Sequence, residues 1–269
     1  MGLGWIAVDQ LPVEVLLLLE RKHLQWIVRE RSGQEFGKFH EALGTVFLHH
    51  PSIRRFFQLS VPDARGFWKS CMDHGDWNAS PHELRQAEVF LMELFNDWMV
   101  YVVDPGRYDE LALGKWDDKL LLDLADFSGK RVVDIGSGTG RLALVAAPVA
   151  RVVYAVEPVA RLREFLLQKA RDRGLRHFFT VDGYLEDIPF ESDFADITMA
   201  GHVFGDVIEE EYSEMMRVTR NGGQIILFPG NNDLDNAIHR FLGDRGFCWK
   251  RFEEPGEGFK RAYWTTVQK

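Results

Sequence analysis

Two hydropathy patterns divide the chain. Up to about residue 125, apolar positions recur with a helical period. Val13, Leu16, Leu17, Leu24, Ile27 and Val28 form such a stripe and predict a helix over Val13 to Arg31. A second helix is predicted over Phe36 to His49, ended by Pro51, with shorter ones at Ile53 to Leu59 and Ala64 to Met72. Ser80-Pro81-His82-Glu83 is a start signal: serine caps, proline suits the first helical position, and glutamate three residues on closes a capping box. The helix it opens is predicted to run to Val103, where Asp104-Pro105-Gly106 stops it, and a further helix is predicted at Asp117 to Ala125. Beyond residue 130 short β-branched runs alternate with helical stretches. Strands are predicted at Arg131–Ile135, Val152–Val156, Phe178–Val181, Ala195–Met199 and Gln224–Phe228. The helices between them are Arg141–Ala147, Val159–Arg173 and Glu209–Val218. Alternation at this spacing implies a doubly wound α/β parallel sheet. After a helix at Leu234–Asp244, Phe247–Phe252 and Arg261–Val267 flank a short polar turn, so that pair is antiparallel.

Composition narrows the classes. The 269 residues are 46% apolar and 27% charged, as a globular chain is. The net charge of −9 argues against a polyanion partner, so nucleic acid is disfavoured. Two cysteines make neither a disulfide framework nor a four-cysteine zinc site. The apolar run Val15 to Leu19 is far too short for a membrane span and lacks the flanks of a secretory signal, so no membrane association and a cytoplasmic location are expected. His49, His50, Cys71, His74 and His82 match no standard zinc spacing, and no metal site is expected.

The chemistry concentrates in Val132-Val133-Asp134-Ile135-Gly136-Ser137-Gly138-Thr139-Gly140-Arg141. A buried strand enters a glycine turn that opens a helix, a junction at which a ligand can approach the main chain. The glycines are spaced G-x-G-x-G, and Arg141 stands where a dinucleotide fingerprint has its last glycine. Glu157, at the end of the next strand, either accepts hydrogen bonds from ribose hydroxyls or is a solvent-exposed glutamate that caps the next helix.

Residues 131–228 resemble the class I S-adenosylmethionine (SAM)-dependent methyltransferases, type 11-like. The resemblance is carried by Asp134 to Gly140, by Glu157, by Asp182-Gly183-Tyr184-Leu185-Glu186-Asp187-Ile188-Pro189-Phe190, by Phe194-Ala195-Asp196-Ile197 and by Glu214 to Gly223. It implies a Rossmann-like seven-stranded sheet carrying an N-terminal helical cap over residues 1–105, with the SAM-binding domain at 106–269. It also implies SAM as cofactor. Gly136, Ser137, Gly138 and Gly140 would receive its amino-acid end, with Asp134 ordering the loop or the ammonium group. Glu157 would hold the ribose, and Pro158, Gly183, Tyr184 and Leu185 would border the adenine. Whether Asp182 or Tyr184 meets the base stays open.

The loop after strand 4, Gly201-His202-Val203-Phe204-Gly205-Asp206, lies where the methyl group is expected in this fold. His202 is the candidate base or orienting group, and Asp206 a candidate to orient it or to contact the acceptor. A purely packing role for His202 is the alternative. Tyr108 and Trp116 either close the pocket or pack, and Asn231 and Asn232 either touch substrate or form a turn. The expected activity is methyl transfer to a small-molecule acceptor by in-line displacement. Methylation of protein or RNA, and a non-catalytic SAM-binding module, are the alternatives.

Overall fold

The computed structural model describes residues 6–31, 37–111, 116–230 and 232–269. The chain divides into two compact units, Met1–Glu110 and Leu111–Lys269.

The first unit is helical: α1 (Arg21–Arg31), α2 (Lys38–His49), α3 (Pro51–Ser60), α4 (Arg65–Asp73), α5 (Pro81–Leu94) and α6 (Asn96–Val103), with α7 (Pro105–Leu111) running across the division. Its core is aromatic. Phe47, Phe57 and Trp68 pack edge to face with centroids 5.3, 6.0 and 5.8 Å apart, and Trp68 donates its indole N–H to the Val61 carbonyl. Two features differ from the periodicity. Val13–Leu18 is a 3-10 segment that ends before α1, so the stripe over Val13 to Arg31 is not one helix. The long apolar run after Ser80 is also two helices, separated at Phe95. The capping box is present, with the Glu83 amide donating to Ser80 Oγ (3.3 Å) and the Ser80 amide to Glu83 Oε2 (2.8 Å). Pro51 opens α3 as well as closing α2, because a helix's first turn has no use for the amide that proline lacks. The predicted start of α2 at Phe36 lies outside the described residues.

The second unit is an α/β fold. After a short helix α8 (Lys119–Leu122) come β1 (Arg131–Ile135), α9 (Ala143–Ala146), β2 (Val152–Val156), α10 (Ala160–Asp172), β3 (Phe178–Val181), β4 (Ala195–Gly201), α11 (Ile208–Val218), β5 (Thr219–Phe228), α12 (Ala237–Asp244), β6 (Cys248–Glu254) and β7 (Gly258–Thr266). Among the described residues they form one seven-stranded sheet of order β3-β2-β1-β4-β5-β7-β6. β1 to β5 are parallel and β7 is antiparallel to both neighbours. Side chains alternate between two cores. Val132, Ile197, Met199, Ile226 and Phe228 pack with α9 and α10 on one face. Val133, Ile135, Ala200, Ile225 and Leu227 pack with α11 and α12 on the other. β5 begins earlier than its β-branched run suggests: its pairing with β4 jumps from Ala195–Thr219 to Ile197–Gln224, so the Asn221-Gly222-Gly223 turn is carried inside the strand as a bulge.

The order reverses between β1 and β4. The crevice at their carboxyl ends is where an open α/β sheet takes its ligand.

Candidate functional site

The glycine loop leaves the carboxyl end of β1. Gly136, Gly138 and Gly140 take φ of 67°, 53° and 94°, the left-handed region that glycine reaches without a Cβ clash. Gly136 also has no space for a side chain: a Cβ there would lie 2.5 Å from Val203 Cγ1, in the loop after β4. The first glycine therefore sets the distance between the two loops at the switch point.

Two buried carboxylates organise the loop. Asp134 is 1% exposed; its Oδ2 accepts from the Ala143 amide at the start of α9 (3.0 Å), whereas its Oδ1 is buried with no hydrogen-bond partner. Burial, reinforced by the nearby Glu157 charge and opposed by the Ala143 amide and Ser137, pushes the Asp134 carboxyl up to about 8. Glu157 is 5% exposed and accepts from the Gly138 amide at Oε2 (2.8 Å) and from the Val159 amide at Oε1 (2.9 Å). Ser137 turns inward and donates from Oγ to the Asp134 carbonyl (2.7 Å).

On the β2–β3 side, Arg163 ties the strand ends together, donating to the Glu157 carbonyl (2.6 Å) and to Asp182 Oδ1 (3.1 Å). Asp182 is thus an exposed partner of Arg163, while Tyr184 is half-buried and shares a two-way backbone bridge with Asp187. Leu185 is buried, Pro158 half-buried, and Gly183 lies flat against Pro189, whose Cδ would be 2.6 Å from a Cβ.

The β4 loop is held from beneath by Glu211. This carboxylate, 1% exposed in α11, accepts from the amides of Gly205 (2.7 Å), Asp206 (3.1 Å) and Val207 (3.1 Å). Burial raises its pKa against those three amides. Asp206 is exposed. His202 takes φ of 60°, rare for a residue with a Cβ, and its amide donates to the Phe228 carbonyl (2.8 Å). Its side chain is 28% exposed, with Nε2 3.8 Å from Glu254 Oε1. Burial is the main cause that lowers its pKa, with Lys260 acting in the same sense and Glu254 and Glu257 opposing, so the ring is neutral at pH 7.

Trp116 is a core residue: it stacks on Phe228 (4.8 Å, 11°), and the Arg141 guanidinium lies 4.0 Å above its ring. Arg141 also pairs with Asp118 (2.7 Å), so the position where a dinucleotide loop needs glycine is occupied by a structural arginine. Tyr108 meets Tyr101 edge to face at 4.7 Å within the helical unit. Gly230, at φ 72°, turns the chain after β5; Asn231 lies outside the described residues, and Asn232 bridges to Lys260. The histidines near α2 to α5 serve separate contacts. His49 meets the Asp76 carbonyl (3.1 Å), His50 meets Glu88 (2.7 Å), His74 meets the Ser70 carbonyl (2.8 Å), and burial pushes the Cys71 thiol up to about 12.

Residues 133–227 match the family described as a methyltransferase domain. That stretch of the sheet unit is similar to a methyltransferase domain, and the curated relatives it resembles are methyltransferases. An uncharacterized methyltransferase of Anoxybacillus flavithermus is 24% identical over 186 residues, 65% of this chain and 83% of that protein. The uncharacterized methyltransferase YcgJ of Bacillus subtilis is 31% identical over 139 residues, half of this chain and 54% of that one. A SAM-dependent methyltransferase from Aquifex aeolicus shares the fold, with a TM-score of 0.50 and 18% identity over 61% of this chain and 99% of that structure. The methyltransferase cofactor is SAM, and the site's chemistry fits it. The buried acceptor Asp134 Oδ1, left without a partner, suits a cationic amino-acid end. The Glu157 carboxylate is a buried acceptor fixed at the end of β2, and the glycine loop admits a ligand to the main chain.

Arg163, Glu211, Glu254 and Lys260 complete the surroundings of the site without a motif to announce them. Only Glu211 has a local signal, an acidic residue in the first turn of a helix that follows a glycine-containing loop.

Proposed function

We propose that this methyltransferase acts on a small-molecule acceptor and that His202 is its base. The observation that carries the reading is the placement of a neutral, half-buried imidazole on the β4 loop, whose next residue, Val203, packs against the first glycine of the cofactor loop. Gly136, Gly138 and Gly140 with Asp134 hold the amino-acid end of SAM, Glu157 holds the ribose hydroxyls, and Pro158, Gly183, Tyr184 and Leu185 border the adenine. With Asp182 engaged by Arg163, Tyr184 is the residue we assign to the base. SAM supplies an electrophilic methyl carbon attached to a good leaving group. The protein's part is to align the acceptor, exclude water and take a proton where the acceptor must lose one. His202 takes that proton, Asp206 contacts the acceptor, and Glu211 keeps their loop in place. The helical first unit selects the acceptor, and the charge of −9 favours a small or neutral acceptor over a polyanion.

The test is a screen of acceptor classes with methyl-labelled SAM. Label is expected in small molecules, and His202→Ala should lower kcat at least 100-fold with SAM affinity unchanged. Label appearing only in RNA or protein would contradict the reading, as would SAM binding without transfer to any class.

A further inference from the structure

His202 does not stand alone at the edge of the sheet. The topology brings the ends of β5, β7 and β6 beside the β4 loop, and with them two buried charges. Glu254, the last residue of β6, is 1% exposed, and Lys260 of β7 is 6% exposed. Lys260 Nζ lies 3.9 Å from Glu254 Oε2 and 3.5 Å from Glu257 Oε2, and it donates to the Gly230 carbonyl at 3.2 Å. Removing a carboxylate and an ammonium from water is costly, and their attraction only partly offsets the loss. The fold accepts that cost where the other oxygen of Glu254 faces the imidazole, 3.8 Å from Nε2. At that distance the contact is electrostatic, longer than a direct hydrogen bond.

The two ring nitrogens have different surroundings. Nε2 faces the carboxylate. Nδ1 faces the turn after β5, where a Cβ on Gly230 would lie 2.3 Å away. A neutral imidazole carries one proton, and a buried negative charge next to one nitrogen favours the tautomer with its N–H there. The left-handed backbone at His202 aims the ring into this arrangement. A neighbouring carboxylate stabilises the imidazolium formed when the ring accepts a proton, while burial, assisted by Lys260, outweighs that effect and keeps the ring neutral at rest.

We propose that Glu254 is a positioning residue for His202: its buried carboxylate holds the ring as the Nε2–H tautomer and leaves Nδ1 as the proton acceptor. The inference rests on His202 being the base and adds a substrate class: an acceptor whose nucleophilic atom carries a proton, a hydroxyl or a protonated amine, since an aprotic nucleophile needs no base. The charged groups facing the ring from the packed elements are Glu254 of β6, Glu257 of the following turn and Lys260 of β7.

Nitrogen NMR of the full-length protein labelled in histidine tests the proposal without knowledge of the acceptor, with His202→Ala identifying the signal. In the wild type, the shifts should report the Nε2–H tautomer and a titration midpoint below the ordinary 6.5. Glu254→Gln should lower the midpoint by about half a unit or more and weaken the tautomer preference, and Lys260→Met should raise the midpoint. Should Glu254→Gln fail to fold, Lys260→Met decides by itself. An Nδ1–H tautomer in the wild type, or a midpoint unmoved in whichever variant folds, would overturn the proposal. The base reading fails separately, by a His202→Ala protein that keeps full methyl transfer while the tautomer result stands.

Discussion

Asp134 is the residue at which folding and cofactor chemistry conflict most plainly. One oxygen ties the glycine loop to the first turn of α9, and the other is buried without a partner. The carboxyl, pushed up to about 8, is neutral in the folded protein at pH 7 but ionised in the unfolded chain, whose carboxylates titrate near 4. The unfolded state therefore binds fewer protons, and this residue's contribution to stability falls as pH rises from about 4 and levels off above about 8. Asp134→Asn keeps the shape without the charge. Its melting temperature relative to the wild type should rise between pH 5 and pH 8.5, and an offset independent of pH would contradict the assignment. Glu157 is a second residue with two tasks. Glu157→Ala removes the partner of the Gly138 amide and the proposed ribose acceptor together, so calorimetry should show SAM affinity reduced more than tenfold, above about 1.4 kcal/mol. Glu157→Gln keeps only one oxygen and should fall between the two.

At the scale of elements, close backbone contact fixes the helical unit as firmly as its rings do. A Cβ on Gly44 of α2 would lie 2.0 Å from the Cys71 carbonyl oxygen of α4, and one on Gly75 would lie 2.4 Å from the Gly44 carbonyl carbon. Neither contact can be relieved by rotating a side chain. Gly44→Ala should cost about 3 kcal/mol, measured by denaturant unfolding, as an overpacked core does. Gly66→Ala, on α4 with nothing within 4 Å of the new Cβ, should be neutral or stabilising by about 0.5 kcal/mol. Equal losses in the two variants would contradict this account of the packing. In the sheet unit the β4 loop has a comparable anchor in Glu211, whose three amide bonds reach from inside α11 to the segment following His202.

How much could be read beforehand depended on whether the information was local. The β1 and β2 strands, the glycine turn and the Ser80 capping box are legible because a strand period, a φ requirement and a cap each involve a few adjacent residues. The break at Phe95 is not legible, because apolar periodicity continues through it. Nor is the importance of Glu254. In the sequence it belongs to a polar turn, Glu253-Glu254-Pro255-Gly256, and only the pairing of β6 with β7 buries it beside Lys260 and His202. Trp116 was open to two roles until its stack on Phe228, more than a hundred residues away, assigned it to the core.

For the whole molecule, the central claim is that the switch point of the sheet binds SAM through Asp134, the glycine loop and Glu157. A dinucleotide is opposed there by Arg141, which is committed to Trp116 and Asp118. The most direct measurement is calorimetric titration of the full chain with SAM, S-adenosylhomocysteine and NAD. The account predicts saturable binding of SAM and S-adenosylhomocysteine, both weakened more than tenfold in Glu157→Ala, with no heat from NAD. Tight binding of NAD with no response to SAM would contradict it.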